Sequence, residues 1–219
     1  MYIYGRNVAR EAINVEKAYV ANNFKDKELL EQIKAPIVYV DKVKLDKMVT
    51  GVHQGIVLKV ADYEYEDIDN LTDDKIVMLD HLEDPHNLGA IIRTCEASGI
   101  NNLILPKDRS VEVNNTVMKV SVGTLEKVKI AQVTNLVATI TKLKKKGYWI
   151  IGTDMLGTDY KTLDYSGKIV IIIGNEGNGI SRLVKESCDF IASIPMKGTV
   201  NSLNASVAAG LILFETIRE

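Results

Sequence analysis

Ile169-Val170-Ile171-Ile172-Ile173 constrains this chain more than any other stretch. Five β-branched residues in succession offer water no polar face. They read as a strand buried on both faces. Gly174-Asn175-Glu176-Gly177-Asn178-Gly179 follows at once. Three glycines in six residues let the chain turn sharply, and a helix resumes over Ile180–Val184 with Ser181 as its cap. A glycine-rich loop at the carboxyl end of a buried strand stands where open α/β sheets bind ligands. The loop matches neither G-x-x-x-x-G-K-[ST] nor G-x-G-x-x-G, and Glu176 would repel a phosphate. A carboxylate in a backbone-lined pocket suits a neutral or cationic ligand, or a ribose hydroxyl. A tight strand-to-helix turn would use the same glycines, so the loop alone does not decide.

The rest of the chain must supply that decision, and composition narrows it little. With 219 residues, 46% of them hydrophobic and 26% charged, the protein is ordinary globular material. A net charge of −2 announces no global attraction to nucleic acid. Residues 1–60 are nevertheless basic, with ten Lys/Arg against seven Asp/Glu, which is compatible with RNA. Cys95 and Cys188 lie far apart in apolar settings and read as buried thiols. His53, His81 and His86 lack metal-ligand spacing, so no metal site is expected. No signal peptide and no membrane-length apolar run stand in the sequence, and a cytoplasmic protein is expected.

In residues 1–61, short apolar runs alternate with amphipathic segments. Strands are expected at Tyr2–Tyr4, Ala18–Val20, Pro36–Val40 and Ile56–Val60. Helices are expected after Gly5-Arg6-Asn7, with Val8, Ala12 and Ile13 inward, over Lys27–Ile33 and over Lys42–Met48. This is a small α/β/α unit. Between its last helix and strand, two glycines frame Val52-His53-Gln54, which reads either as an RNA-contacting loop or as a plain polar connection. Residues 62–74 are acidic and read as a solvated linker. Residues 75–219 form the second domain. Its expected strands are Ile76–Asp80, Asn102–Pro106, Val128–Ile130, Trp149–Thr153, Ile169–Ile173 and Phe190–Met196. Asn87 is read as the cap of a helix whose buried stripe is Leu88, Ile91, Ile92 and Cys95, with Gly99 just beyond its end. A short helix and loop are expected over Val111–Thr124, and a helix over Leu136–Lys146 whose terminal lysines suit a helix C-terminus. Asp154–Tyr165 reads as a polar loop. The final helix, Ala205–Arg218, is apolar almost all round and therefore reads as buried.

Three polar-plus-glycine segments thus stand at the ends of buried elements. They are Asn87-Leu88-Gly89-Ala90-Ile91-Ile92-Arg93-Thr94, Ile173-Gly174-Asn175-Glu176-Gly177, and Ile194-Pro195-Met196 through Ser202-Leu203-Asn204-Ala205-Ser206. In order and spacing they resemble the three signature motifs of the SpoU/TrmH family of RNA 2′-O-ribose methyltransferases, within the SPOUT superfamily. Ile3-Tyr4-Gly5-Arg6-Asn7 and His53-Gln54-Gly55-Ile56 resemble the small L30e-like RNA-binding domain that precedes the catalytic domain in ribosomal RNA members of that family.

The resemblance implies a parallel-sheet SPOUT domain whose C-terminal segment threads a loop as a deep trefoil knot. It implies S-adenosylmethionine (S-adenosyl-L-methionine) as cofactor and a homodimer through the catalytic domain. Cofactor contacts fall on Gly174, Asn175, Glu176, Gly177, Ile194, Met196, Ser202, Leu203 and Asn204. Catalytic roles fall on Arg93, Asn87, Glu176, Ser202 and Asn204, and RNA contacts on Arg6, Asn7, His53 and Gln54. The implied reaction is methylation of a ribose 2′-hydroxyl, with a guanosine of 23S ribosomal RNA as target. Alternatives are a transfer RNA guanosine, a ribosomal RNA adenosine, or a non-catalytic RNA-binding assembly factor on the same fold. His86, which precedes Asn87, reads as a polar loop histidine or as a further functional group beside the site.

Overall fold

Short apolar runs punctuated by turn residues become strands and helices in the following order: β1 (Tyr2–Tyr4), α1 (Arg6–Arg10), β2 (Val15–Ala21), α2 (Lys27–Gln32), β3 (Ile37–Val40), α3 (Lys42–Met48), β4 (Ile56–Val60), β5 (Lys75–Asp80), α4 (Pro85–Ala97), β6 (Asn102–Pro106), α5 (Asn115–Ser121), β7 (Lys129–Val133), α6 (Leu136–Lys145), β8 (Trp149–Asp159), β9 (Ile169–Gly174), α7 (Arg182–Glu186), β10 (Phe190–Ser193) and α8 (Ala205–Glu215). The structure, a computed structural model, describes every residue except Ile13, Val122 and Glu219. The inward position expected for Ile13 therefore lies outside the described residues. Two units form: Met1–Glu64 with Val113–Gly123, and Tyr65–Glu112 with Thr124–Glu219.

In the first unit the sheet order is β1-β4-β2-β3. β4 runs antiparallel to β1 and β2, while β2 and β3 are parallel. Ile3, Ala18, Val20, Ile56 and Leu58 fill one face together with Ala9 of α1 and Leu29 of α2. Ala21, Val40 and Val57 take Leu45 of α3 on the other. The period-2 alternation of the strands thus produces the expected α/β/α layering. Asp26 caps α2, accepting from the Leu29 amide at 3.2 Å. The helix expected within Val111–Thr124 forms as α5, but it packs with this unit, where Met118 meets the Ile3 cluster. A strictly linear division of the chain misses that excursion.

The second unit holds a six-stranded sheet, β10-β8-β9-β5-β6-β7, in which every pairing is parallel. Ile169–Ile173 lies next to its centre and is buried on both faces. Alternation splits the strand residues between two layers. Ile76, Met78, Ile104, Val170 and Ile172 pack with Leu136, Ile140 and Leu143 of α6 and Val184 of α7. Val77, Leu79, Leu103, Leu105, Ile171 and Ile173 point the other way, toward the layer in which α4 packs on α8. Burial pushes the Cys95 thiol up to about 12 and the Cys188 thiol up to about 11, so neither offers a thiolate at neutral pH.

Four expectations are corrected. The stretch expected as a solvated linker docks in part. Glu66 bridges to Ala131, Leu71 is fully buried, and Asp69 accepts from Lys142 and Lys146. Two aliphatic residues among the acids, and lysines opposite them, hold that segment down. The polar loop expected from Asp154 is the second half of β8. Its pairing with β10 jumps from Gly152 opposite Ile191 to Thr158 opposite Ala192, and a bulge spans the gap. The last strand stops at Ser193, so Pro195 and Met196 lie in irregular chain. The final helix is not buried all round: Ala205, Ala209, Ile212 and Leu213 face inward, while Val207, Leu211 and Phe214 are exposed.

Candidate active site

At the carboxyl ends of β8, β9 and β10 lies a cavity of about 380 Å³. Its walls are the β8 bulge from Thr153 to Met155, the loop Gly174–Gly179, the irregular segment after β10, and the inner face of α8 at Ala205, Ala208 and Ile212. The loop is closed on itself. Asn175 and Gly179 exchange backbone hydrogen bonds at 3.0 and 2.9 Å, and the Asn175 Oδ1 accepts from the Gly177 amide at 2.8 Å. So tight a return leaves no room at Gly174, where a Cβ would sit on the Gly179 carbonyl carbon and the Ile180 nitrogen. Gly179 has φ +65°, a conformation that favours glycine.

Asp80, at the end of β5, anchors the far side of the loop. Its buried carboxylate accepts from the Ser181 amide at 2.5 Å and pairs with His81 Nδ1 at 2.5 Å. The Asn175 amide donates to the His81 carbonyl at 2.9 Å. Ser181 holds the cap position of α7, but its side chain makes no capping bond. The sequence reading missed Asp80. Its signal was a lone carboxylate closing the apolar run Ile76–Leu79.

Three of the sequence-predicted residues form one connected group. Asn87 Nδ2 donates to Glu176 Oε1 at 2.5 Å, and Asn204 Nδ2 donates to Asn87 Oδ1 at 2.9 Å. Asn204 Oδ1 then accepts from Ser206 at both its backbone nitrogen and its hydroxyl, which caps α8. Asparagine suits the middle of this chain because its amide donates to a carboxylate while its carbonyl accepts from a second amide. Asn87 is 5% exposed, so both bonds form in a setting where an unmade one is costly. It is not the cap of α4, as expected. Asp84 caps that helix, accepting from the His86 amide at 2.8 Å, and Pro85 occupies its first turn. Asn87 consequently sits in the first turn, aimed sideways at Glu176 and Asn204.

Gly174, Asn175, Glu176, Gly177, Ile194, Met196, Ser202 and Leu203 all line the cavity. Asn204 stands just outside the wall and is tied to it through Asn87. Arg93 is not gathered into this group. It is exposed on α4, and its side chain makes no hydrogen bond or ion pair among the described residues. His86 is exposed at the start of the same helix. Sequence reading also missed Thr153, Asp154 and Met155, because the β8 bulge that brings them in has no periodic signature. Asp154 is already committed to Lys185 at 2.8 Å.

The RNA-contacting positions expected in the first unit lie around a second cavity, of about 740 Å³, lined by Arg6, His53 and Gln54 among others. Asn7 is exposed on α1 beside it in sequence. His53 is buried: its Nδ1 accepts from the Gly55 amide at 3.0 Å, which leaves the ring proton on Nε2 to donate to Asp46 at 2.9 Å. Gln54 Oε1 accepts from the Arg6 amide at 2.8 Å. The two side chains therefore tie their loop down, His53 to α3 and Gln54 to the start of α1.

Residues 74–214 match the SpoU rRNA Methylase family, and residues 2–66 match the RNA 2′-O ribose methyltransferase substrate-binding domain. The chain belongs to the SpoU rRNA methylase family. It is an RNA methyltransferase of that family. YacO of Bacillus subtilis, which bears the TrmH-family tRNA/rRNA methyltransferase name, is 42% identical over 237 residues, covering 100% of this chain and 95% of its own. The structure of the SpoU methyltransferase AviRb from Streptomyces viridochromogenes, in complex with AdoMet, superposes with a TM-score of 0.79. It is 24% identical and covers 99% of this chain and 89% of that one, a likeness of fold. The TrmH/SpoU tRNA modifying enzyme of A. aeolicus, at 33% identity and TM-score 0.60, covers 66% of this chain and 74% of its own.

Proposed function

We propose that this SpoU-family chain transfers a methyl group from S-adenosylmethionine to the 2′-hydroxyl of a ribose in RNA, with a guanosine of 23S ribosomal RNA as target. The hydrogen-bonded chain Glu176–Asn87–Asn204 beside the cavity carries this reading. The residues present fit the cofactor. About 380 Å³ lies within the range of small-ligand sites. The wall combines backbone and aliphatic carbon with Asn, Ser and Thr side chains, the missing Cβ of Gly174 keeps the loop closed, and the charged side chains that line it, Asp154 and Glu176, are carboxylates. S-adenosylmethionine supplies an electrophilic methyl on a positively charged sulfur.

The protein's own contribution is positioning and electrostatics. Glu176 presents negative charge toward a cationic ligand, and Asn87 fixes its direction. Asn204 ties that pair to the start of α8. Arg93, exposed and without a carboxylate partner among the described residues, is free to grip the phosphate beside the target ribose and steady the developing alkoxide. Arg93 acts here as an electrostatic group rather than as the base. Arg93→Lys is expected to lose nearly all turnover while cofactor binding persists; near-normal turnover would remove Arg93 from the chemistry.

Two further features complete the proposal. The C-terminal segment forms the trefoil knot of the superfamily around the cofactor. The catalytic domain dimerises through α8, whose exposed Val207, Leu211 and Phe214 recur at i, i+4 and i+7. Mapping ribose methylations in cells with and without the gene tests the target. A missing methyl on a 23S guanosine supports the reading, and a missing methyl on a transfer RNA overturns the ribosomal assignment.

A further inference from the structure

The cavity of the first unit holds an arrangement that the loop residues His53 and Gln54 do not account for. Phe24 lies between β2 and α2, against Gly55, where a Cβ would come within 2.9 Å of the ring edge. The Arg6 guanidinium lies over that ring, 5.2 Å from its centroid. Arg6 is exposed, and among the described residues no carboxylate pairs with it. Arg10, one turn on, is by contrast paired with Asp26 at 2.7 Å. Lys42 lines the same cavity, also without an ion pair among the described residues. Among the described residues the one carboxylate lining the cavity, Asp46, is taken by His53. An aromatic ring, a planar cation upon it and a second unspent cation therefore face one opening of about 740 Å³.

A flat guanidinium over an aromatic ring presents a stacking surface. Unpaired bases stack on such planes, and the phosphates that accompany them are met by nearby cations. A base held in a duplex cannot reach such a shelf. His53, bonded to the Gly55 amide and Asp46, and Gln54, whose Oε1 takes the Arg6 amide, hold the rim in place rather than making the contact.

We propose that Arg6 and Phe24 receive a single unstacked nucleotide of an RNA strand, with Lys42 taking its phosphate. This deepens the reading of the chain as an RNA methyltransferase: it names the part of the substrate-binding unit that grips RNA and the state of the RNA it selects.

Fluorescence anisotropy of the full chain tests it, using a labelled single-stranded oligoribonucleotide of mixed sequence, the same sequence as duplex, and guanosine monophosphate as competitor. The single strand is expected to bind better than the duplex, and the free nucleotide to compete only weakly. Arg6→Lys keeps the charge and removes the plane; Phe24→Leu keeps apolar bulk and removes the ring. Each is expected to weaken single-strand binding about tenfold. Lys42→Gln is expected to lower the salt dependence by about one phosphate contact. Crosslinking of a 4-thiouridine strand to the unaltered protein should map to Arg6 or Phe24, which guards against a Phe24→Leu chain that folds poorly. Wild-type affinity in Arg6→Lys, equal binding of duplex, competition by the free nucleotide as strong as by the strand, or crosslinks elsewhere would each overturn the inference. S-adenosylmethionine binding is titrated in parallel. If single strands bind through Arg6 and Phe24 but the cofactor does not bind, the enzymatic reading fails and this one stands. If the cofactor binds and Arg6→Lys grips the strand normally, this one fails alone.

Discussion

Two glycine-framed loops, Gly51–Gly55 in the first unit and Gly174–Gly179 in the second, carry the polar residues that drew attention in the sequence, and they use them differently. In the first, His53 and the Gln54 carbonyl tie the loop to α3 and to the start of α1, and the surface left for a ligand comes from Arg6, Phe24 and Lys42 outside it. In the second, Asn175 braces the loop while Glu176 is held out by Asn87. A polar residue in a tight loop is thus evidence of function only once its own backbone has been satisfied. The closing interactions differ as well. Gly55 adjoins a ring that can shift, whereas Gly174 adjoins backbone that cannot.

That difference predicts the largest effect. Gly174→Ala should abolish cofactor binding and lower stability by about 1–3 kcal/mol or more, since a backbone clash has no side-chain escape. Gly55→Ala, at φ +87° and against Phe24, should cost about 1–2 kcal/mol and leave cofactor binding intact. Thermal melting together with cofactor titration separates the two. Equal loss of cofactor binding in both would erase the contrast.

Next comes Asn87→Ala, which leaves Glu176 undirected and an Asn204 amide without its acceptor. A cost of about 1–3 kcal/mol in stability is expected, with a larger loss in methyl-transfer rate than in cofactor affinity. Unchanged turnover would show the chain to be scaffolding only. Asp80→Asn removes the charge from the bonds to the Ser181 amide and His81. Charge-assisted bonds are roughly twice as strong as neutral ones, so cofactor affinity should fall about tenfold while binding by the first unit is untouched. An unaltered KM for the cofactor would rule Asp80 out as the loop's anchor.

The smallest effect belongs to the docked acidic segment. Lys142 and then Lys146, hydrogen-bonded to Asp69, lower its carboxyl from its ordinary 3.8 to about 2. A lowered folded-state value means stability that is complete above the ordinary value and lost as pH falls toward about 2. Asp69→Asn should flatten the acid limb of the stability curve between those two values, and an unchanged limb would place the docking elsewhere.

Much of this was legible in the sequence, because burial on both faces leaves a run such as Ile169–Ile173 few alternatives. The α/β/α first unit follows from strand periodicity, while the parallel second sheet and the site roles of Asn87, Glu176 and Asn204 come from the resemblance of the three motifs to the SpoU/TrmH family. What escaped notice depends on contacts distant along the chain. The β8 bulge exists because Ile191 and Ala192 pair across it. Leu71 is buried because β7 and α6 offer it a place, and α5 joins the first unit through Met118. Asp80 looks like a strand end until the Ser181 amide arrives to meet it. The exposed stripe on α8 reads in sequence as core, since periodicity cannot tell two apolar faces apart when only one has an internal partner.

The most direct test of the central claim supplies the purified chain with S-adenosylmethionine carrying a tritiated methyl group and with ribosomal RNA, then hydrolyses the RNA in alkali. A methylated 2′-oxygen cannot attack the neighbouring phosphate, so the account predicts the label in alkali-resistant dinucleotides, absent with Gly174→Ala and Asn87→Ala. Label released in mononucleotides, as a methylated base would give, would contradict it.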